Sequence, residues 1–277
     1  MKKTISVLLA VLLVLGAVFA FAACSDKAEE TTAPAADETT EAAATESDLQ
    51  YITDKGVLVV GITEYPPMDY LDENNEWTGF DAEYAKLVAE KIGVDVEFVE
   101  ITWSQKVFEL DAKKIDVVWN GMTINDDLKK SMNITDAYVK NAQVIVMAAD
   151  KAKDYTTVEA MAELNFAVEE GSAGKDVAEE NNFSYTGLTT QADALLEVST
   201  GKADACIIDL TMANATTGEG TSYENLVQVL SVNEEEYGVG CRTGSDLCDK
   251  INEVTDELIA DGTLKALADK YQLTLVD

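Results

Sequence analysis

A chain of 277 residues has room for one large domain or two small ones, and its aliphatic content is ample for a packed core. A formal charge of −32 repels phosphate backbones and argues against nucleic acid as a partner. Histidine is absent and Arg242 is the sole arginine, which removes Ser-His-Asp and Cys-His catalysis and histidine metal sites.

Lys2 and Lys3 precede an apolar run, Ile5–Ala23, that ends in small residues. Its length alone would suit a membrane span, but the ending FAAC (21–24) resembles a bacterial lipobox, with Phe21 where Leu is more usual. Residues 1–23 are therefore read as a lipoprotein signal peptide, with Cys24 as the lipid-modified first residue. The rest of the chain then works on the outer face of the cytoplasmic membrane. Residues 24–48 read as a disordered tether: after Cys24 come eight acids, one lysine and no large apolar side chain. With this −7 and the two leader lysines set aside, about −27 remains on residues 49–277, the charge of a solvated folded body.

From residue 50 onward strands and helices alternate. VLVVGI (57–62) is a buried strand, and GFDAEYAKLVAEKIG (79–93) carries Phe80, Tyr84, Leu87 and Val88 at helical spacing. VDVEFVE (94–100) alternates as a strand, SQKVFELDAKK (104–114) is a short helix, and IDVVWNG (115–121) is a strand ending in glycine. The rhythm restarts with strands at QVIVMAA (143–149), NFAVEEG (165–171) and ADACIID (203–209). Helices at AGKDVAEEN (173–181) and TTQADALLEVSTG (189–201) intervene. Residues 249–271 read as two helices broken at Gly262. Two successive β-α-β units imply two doubly wound lobes.

Ligands bind such sheets at the carboxyl ends of strands, so the loops there supply the candidates. Tyr65 precedes Pro66-Pro67, two of the chain's three prolines, and is confined to extended conformations. With Trp103 after the second strand it could wall a small ligand, or both could be ordinary packed aromatics. NGMT (120–123) brings Asn120, Gly121 and Thr123, and GSAG (171–174) opens a helix, placing Ser172 and Ala173 where an anion is favoured. Asp209 closes a strand and could receive an ammonium, cap the next helix, or do both. Glu64 and Glu169 are secondary candidates.

Of the cysteines beyond Cys24, Cys206 reads as a buried strand residue. Cys241 and Cys248 bracket RTGSDL as either a disulfide or two free thiols. No CxxC occurs, so no zinc or redox site is expected.

Taken together, VLVVGITEYPPMDYLDENNEWTGFDAEYAKLVAEKIG, VEFVEITWS, KIDVVWNGMTI, EEGSAGKDVAEEN, GKADACIID and DGTLKALADKY resemble a family 3 extracellular solute-binding protein, the amino-acid receptor of a bacterial ABC importer. The stretches keep the family's order and cover nearly all of 50–277. The resemblance implies a type II periplasmic-binding-protein-like fold: two α/β lobes joined by two crossing hinge strands and closing on a ligand. Lobe 1 would comprise 49–141 and 236–277, with lobe 2 at 142–235. The chain would leave lobe 1 near Tyr138–Val144 and return near Glu234–Val239. It also implies stacking on Tyr65 and Trp103, anion contacts from Gly121, Thr123, Ser172 and Ala173, and an ammonium contact from Asp209.

One departure touches the ligand. The family commonly carries a carboxylate-binding arginine in the helix after MTIT; here the segment is MTINDDLKKSMN and that position holds Leu128. Neutral-to-cationic ligands, such as basic amino acids, amides or amines, are accordingly expected over acidic ones. The expected function is a lipid-anchored receptor that binds an amino acid-like ligand and delivers it to an ABC permease. It is expected to be monomeric, without metal, cofactor or catalysis. The alternatives are a sensing or adhesion lipoprotein and, on the same fold, a cleft enzyme such as a dehydratase using Glu64, Glu169 and Asp209 as acid and base.

Overall fold

The computed structural model describes residues 47–277; the leader, Cys24 and the tether as far as residue 46 lie outside the described residues. Ser47 caps α1 (Asp48–Lys55), its hydroxyl accepting from the Gln50 amide at 2.9 Å. Asp48, assigned to the tether on composition, instead opens this helix, because its carboxylate is buried against Arg242. β1 (Val57–Ile62) follows, then a short hairpin, β2 (Tyr70–Leu71) and β3 (Trp77–Thr78). α2 (Phe80–Ile92) buries Phe80, Tyr84 and Val88 along one face and stops at Gly93 in the left-handed region. β4 (Asp95–Glu100), α3 (Lys106–Asp111), β5 (Val117–Val118), α4 (Leu128–Ser131) and β6 (Asn133–Ile134) continue this half.

The long β7 (Val139–Ala148) opens the second half. It continues through β8 (Asn165–Glu169), α5 (Ala173–Glu180), β9 (Ser184–Leu188), α6 (Gln191–Ser199), β10 (Ala205–Asp209) and α7 (Leu210–Thr216). The equally long β11 (Leu226–Tyr237) leads back to β12 (Gly240–Cys241), and α8 (Leu247–Ala260) and α9 (Thr263–Tyr271) end the chain's helical content.

Two five-stranded sheets result, one per lobe. In lobe 1 the order is β4-β1-β5-β12-β6, with β1 parallel to both β4 and β5 and β12 antiparallel. In lobe 2 the order is β11-β7-β10-β8-β9, with β8 parallel to β10 and β9. β7 and β11 pair antiparallel from Leu226↔Ala148 to Tyr237↔Val139, so the two strands cross between the lobes side by side. This is the two-lobed α/β architecture expected, with β1, β8 and β10 ending at the interlobe face.

The sole arginine holds lobe 1 together. Arg242 donates to Asp48 Oδ2 at 3.0 Å, to the Ile115 carbonyl at 2.8 Å and to Asp116 Oδ1 at 3.3 Å. Lys55 completes the cluster at 2.5 Å from Asp116 Oδ2. The C-terminal tail is fastened at the hinge, where Val276 N donates to the Tyr138 carbonyl at 3.1 Å and Leu275 bridges Val139. Cys206 is buried, as expected; Cys241 and Cys248 are buried thiols with their sulfurs 2.7 Å apart.

Candidate functional site

The strand ends converge on a cavity of about 20 Å³ between the lobes, lined from lobe 1 by Trp103, Lys106, Gly121 and Thr123 and from lobe 2 by Glu169, Ser172, Ala173 and Asp209. That is space for about one water, so the lobes are closed on each other here. Asn120 and Leu128 also border the cavity. A wider groove of about 900 Å³ shares Thr123, Asn125 and Ala173 with it and runs outward along the hinge strands.

Asp209 dominates the lobe 2 side. It ends β10 at the first residue before α7, yet its carboxylate makes no cap hydrogen bond. Oδ1 accepts from Asn141 Nδ2 at 2.5 Å and Gln143 Nε2 at 2.7 Å, and Oδ2 from Gln191 Nε2. The same two hinge amides donate to Glu235 Oε1 at 2.6 and 2.8 Å, and Thr123 Oγ1 adds a third bond at 2.9 Å. Gly174 makes the approach feasible, because a Cβ there would lie 2.6 Å from the Ile207 carbonyl and 3.0 Å from Gln143 Oε1. Burial raises the pKa of Asp209, and burial followed by the Asp209 charge pushes Glu235 up to about 8. Glu169, 4% exposed with Oε1 lacking a partner, is raised to about 8 by burial and then by Asp209. Three carboxyl groups thus lie within one electrostatic field, and burial works against the charge on each.

Among the described residues a single ammonium lines the same cavity. Lys106, 5% exposed, sits 4.5 Å over the Trp103 ring and donates to the Gly171 carbonyl at 2.9 Å, a bond from lobe 1 to lobe 2. Burial is the main cause that lowers its pKa to about 8, opposed by Glu169 and Asp176.

Several expected contacts have other occupations. Tyr65 does not line the inner cavity: its hydroxyl lies 2.6 Å from Thr211 Oγ1 and 2.5 Å from the Tyr237 hydroxyl, at the hinge. Gly121, at φ 56°, leaves room for the Tyr65 ring, whose Cε1 would be 2.5 Å from a Cβ. The Gly121 amide already donates to Asp81 Oδ2 at 2.6 Å, which withdraws it from anion binding. Asn120 ties β1 to β5, accepting from Thr63 N at 2.5 Å and donating to Thr63 Oγ1 at 3.0 Å. Ser172 Oγ donates to the Glu169 carbonyl at 2.9 Å and accepts from Lys175 N at 3.2 Å, capping α5. Ala173 retains the orphan N–H of a helix start. Glu64 is exposed and outside the cavity.

The sequence reading missed Lys106, Asn141, Gln143, Gln191 and Glu235. For the hinge pair a signal existed. Asn141 and Gln143 stand two apart ahead of the apolar run VIVMA, hence on one face, and β-register puts Glu235 opposite Asn141.

Comparison with known proteins agrees with this fold. The chain is 28% identical over 233 residues to the L-cystine-binding protein TcyJ of Escherichia coli (strain K12), covering 82% of this chain and 87% of that one. It is 28% identical over 224 residues to the arginine-binding extracellular protein ArtP of Bacillus subtilis (strain 168), covering 78% and 86%. A crystal structure of a variant of ArgBP from T. maritima superposes with a TM-score of 0.75 at 32% identity, covering 81% of this chain and 98% of that one. The profile of the bacterial extracellular solute-binding proteins, family 3, matches residues 58–274, and the chain belongs to that family.

Proposed function

We propose that this family member is the lipid-anchored receptor of an ABC importer and binds a small amino acid or related amine between its lobes. The observation that carries the reading is the buried carboxylate–amide network of Asp209, Glu235, Asn141 and Gln143 at the interlobe face. It offers negative charge on fixed hydrogen bonds to a ligand ammonium, as Trp103 offers an aromatic face and Ala173 a helix start to the rest of the molecule. Thr123 and Ser172 add hydroxyls beside them, and Glu169 adds a further carboxyl. The relatives named for cystine and arginine support an amino-acid ligand, and binding without turnover accounts for these contacts more economically than acid–base catalysis. Division into lobe 1 (49–141 and 236–277) and lobe 2 (142–235) belongs to the same proposal, as do the anchor at Cys24 and a monomeric receptor delivering to its permease.

A thermal-shift screen across amino acids, amines and small peptides tests the receptor reading, because a ligand that binds only the folded state raises its melting temperature. A flat response throughout would sink it. The anchor is tested separately. Cys24→Ser should release the protein from membranes with its fold intact, since a diacylated cysteine supplies the apolar area for stable residence. Membrane retention and lipid labelling of Cys24→Ser would refute the lipobox.

A further inference from the structure

We infer that Lys106 is the group that receives the ligand's carboxylate, and that the site therefore selects a zwitterion, not a bare amine; this rests on the receptor reading above. Three observations place it there. Among the described residues Lys106 is the only cationic side chain that lines the inner cavity, where it shares the space with the carboxyl groups of Glu169 and Asp209. Its ammonium lies on the α5 side, bonded to the Gly171 carbonyl at 2.9 Å and more loosely to the Trp103 carbonyl at 3.4 Å. Those acceptors are neutral, and among the described residues Lys106 forms no carboxylate ion pair.

The cavity is thereby polarised. Its positive end combines the ammonium with the start of α5, where Ala173 exposes a helix N–H and the peptide dipoles favour an anion. Its negative end is the network around Asp209, with the unpartnered Glu169 Oε1 buried between the two. Leu128 borders the same space and supplies neither charge nor a hydrogen bond. Only an anion can turn the contacts of this buried ammonium to neutral carbonyls into an ion pair, and a carboxylate is the group of that size which travels with an ammonium on one small molecule. A zwitterion matches both ends at once. A diamine meets Lys106 as a like charge in a desolvated space.

The test pairs each amino acid with its decarboxylated counterpart: L-arginine with agmatine, L-lysine with cadaverine, L-histidine with histamine and L-cystine with cystamine. Calorimetric titration of the full folded protein should show the amino acid of the best pair bound at least tenfold more tightly than its amine. Lys106→Met keeps most of the unbranched apolar stem and removes the ammonium over Trp103. It should weaken the amino acid by about 10- to 100-fold, the worth of one charge-assisted contact, and leave the amine unchanged or tighter. Lys106→Arg, which keeps the charge, should retain the preference and guards against a folding defect in the methionine variant. Equal losses for acid and amine in Lys106→Met, or amino-acid affinity within about threefold of wild type, would overturn the assignment while leaving the receptor reading in place. Wild-type protein that binds no member of the panel would overturn both.

Discussion

Glu169→Gln tests how much the closed cleft works against its own carboxylates. Glu169 is 4% exposed, its Oε1 has no partner, and burial with the Asp209 charge raises its pKa from 4.5 to about 8. A carboxyl raised in the folded state holds a proton that the unfolded chain has released, over the window from about 4.5 to about 8. Stability from this group is therefore full below the lower limit and declines as pH rises through the window. Each pH unit is worth about 1.4 kcal/mol, so holding the proton at pH 7 costs about 3 kcal/mol. Glu235, raised to about 8, and Asp81, raised by burial to about 7, act in the same direction. Lys106, lowered to about 8, acts oppositely, but only from about 8 up to its ordinary 10.5. Urea unfolding without added ligand should thus show wild-type stability falling from pH 5 to pH 8. Glutamine carries no titrating proton, so Glu169→Gln should make that decline shallower by up to about 1.4 kcal/mol per pH unit. The slope is the diagnostic quantity, because the new amide can gain or lose a hydrogen bond at every pH alike. An unchanged slope in Glu169→Gln, or wild-type stability that rises over this range, would refute the reasoning.

Three further outcomes are expected. Trp103→Ala should remove most of the tryptophan fluorescence response to a bound amino acid and weaken binding, since Trp103 lines the cavity beneath Lys106; unchanged affinity would return it to a packing role. Arg242→Met strands Asp48 and leaves Asp116 with Lys55 and the Val59 amide, so a loss near the lower end of the 3–5 kcal/mol range, about 3 kcal/mol, is predicted from urea midpoints. A shift under about 1 kcal/mol would contradict the buried-pair account. The thiols of Cys241 and Cys248, 2.7 Å apart, should join under a disulfide oxidant, leaving Cys206 as the one titratable thiol of the leaderless, Cys24-free protein in denaturant. Persistence of all three thiols would exclude the bridge.

Where pattern and punctuation agreed, the fold could be read from residues alone. β1 and α2 fall on VLVVGI and on the stretch between Gly79 and Gly93, because an apolar strand and a capped amphipathic helix carry strong local signals. IDVVWNG gave only Val117–Val118 as strand, since its ends turn away to hold Asp116 against Arg242 and Asn120 against Thr63. α1 was hidden by its polar composition beside the acidic segment, and α7, LTMANAT, by weak helix formers. At the site, Trp103, Thr123, Ser172 and Asp209 were legible as residues at strand ends. Lys106 was not: in sequence it is one more lysine on a short helix, and only the approach of Gly171 from the other lobe distinguishes it. Tyr65 lies off the inner cavity for the converse reason, as its hydroxyl finds hinge partners 146 and 172 residues away.

The fastening of both ends of the described residues has a mechanical corollary. α1 is clamped to lobe 1 through Asp48 and Arg242, and the last residues pair with Tyr138 and Val139 where β7 begins. A pull at either end of the described residues therefore bears on lobe 1, which becomes the stator against which lobe 2 would swing. A fluorophore pair spanning the cleft would register that swing, whereas labels at Ser47 and Asp277 would stay at a fixed separation throughout a closure cycle.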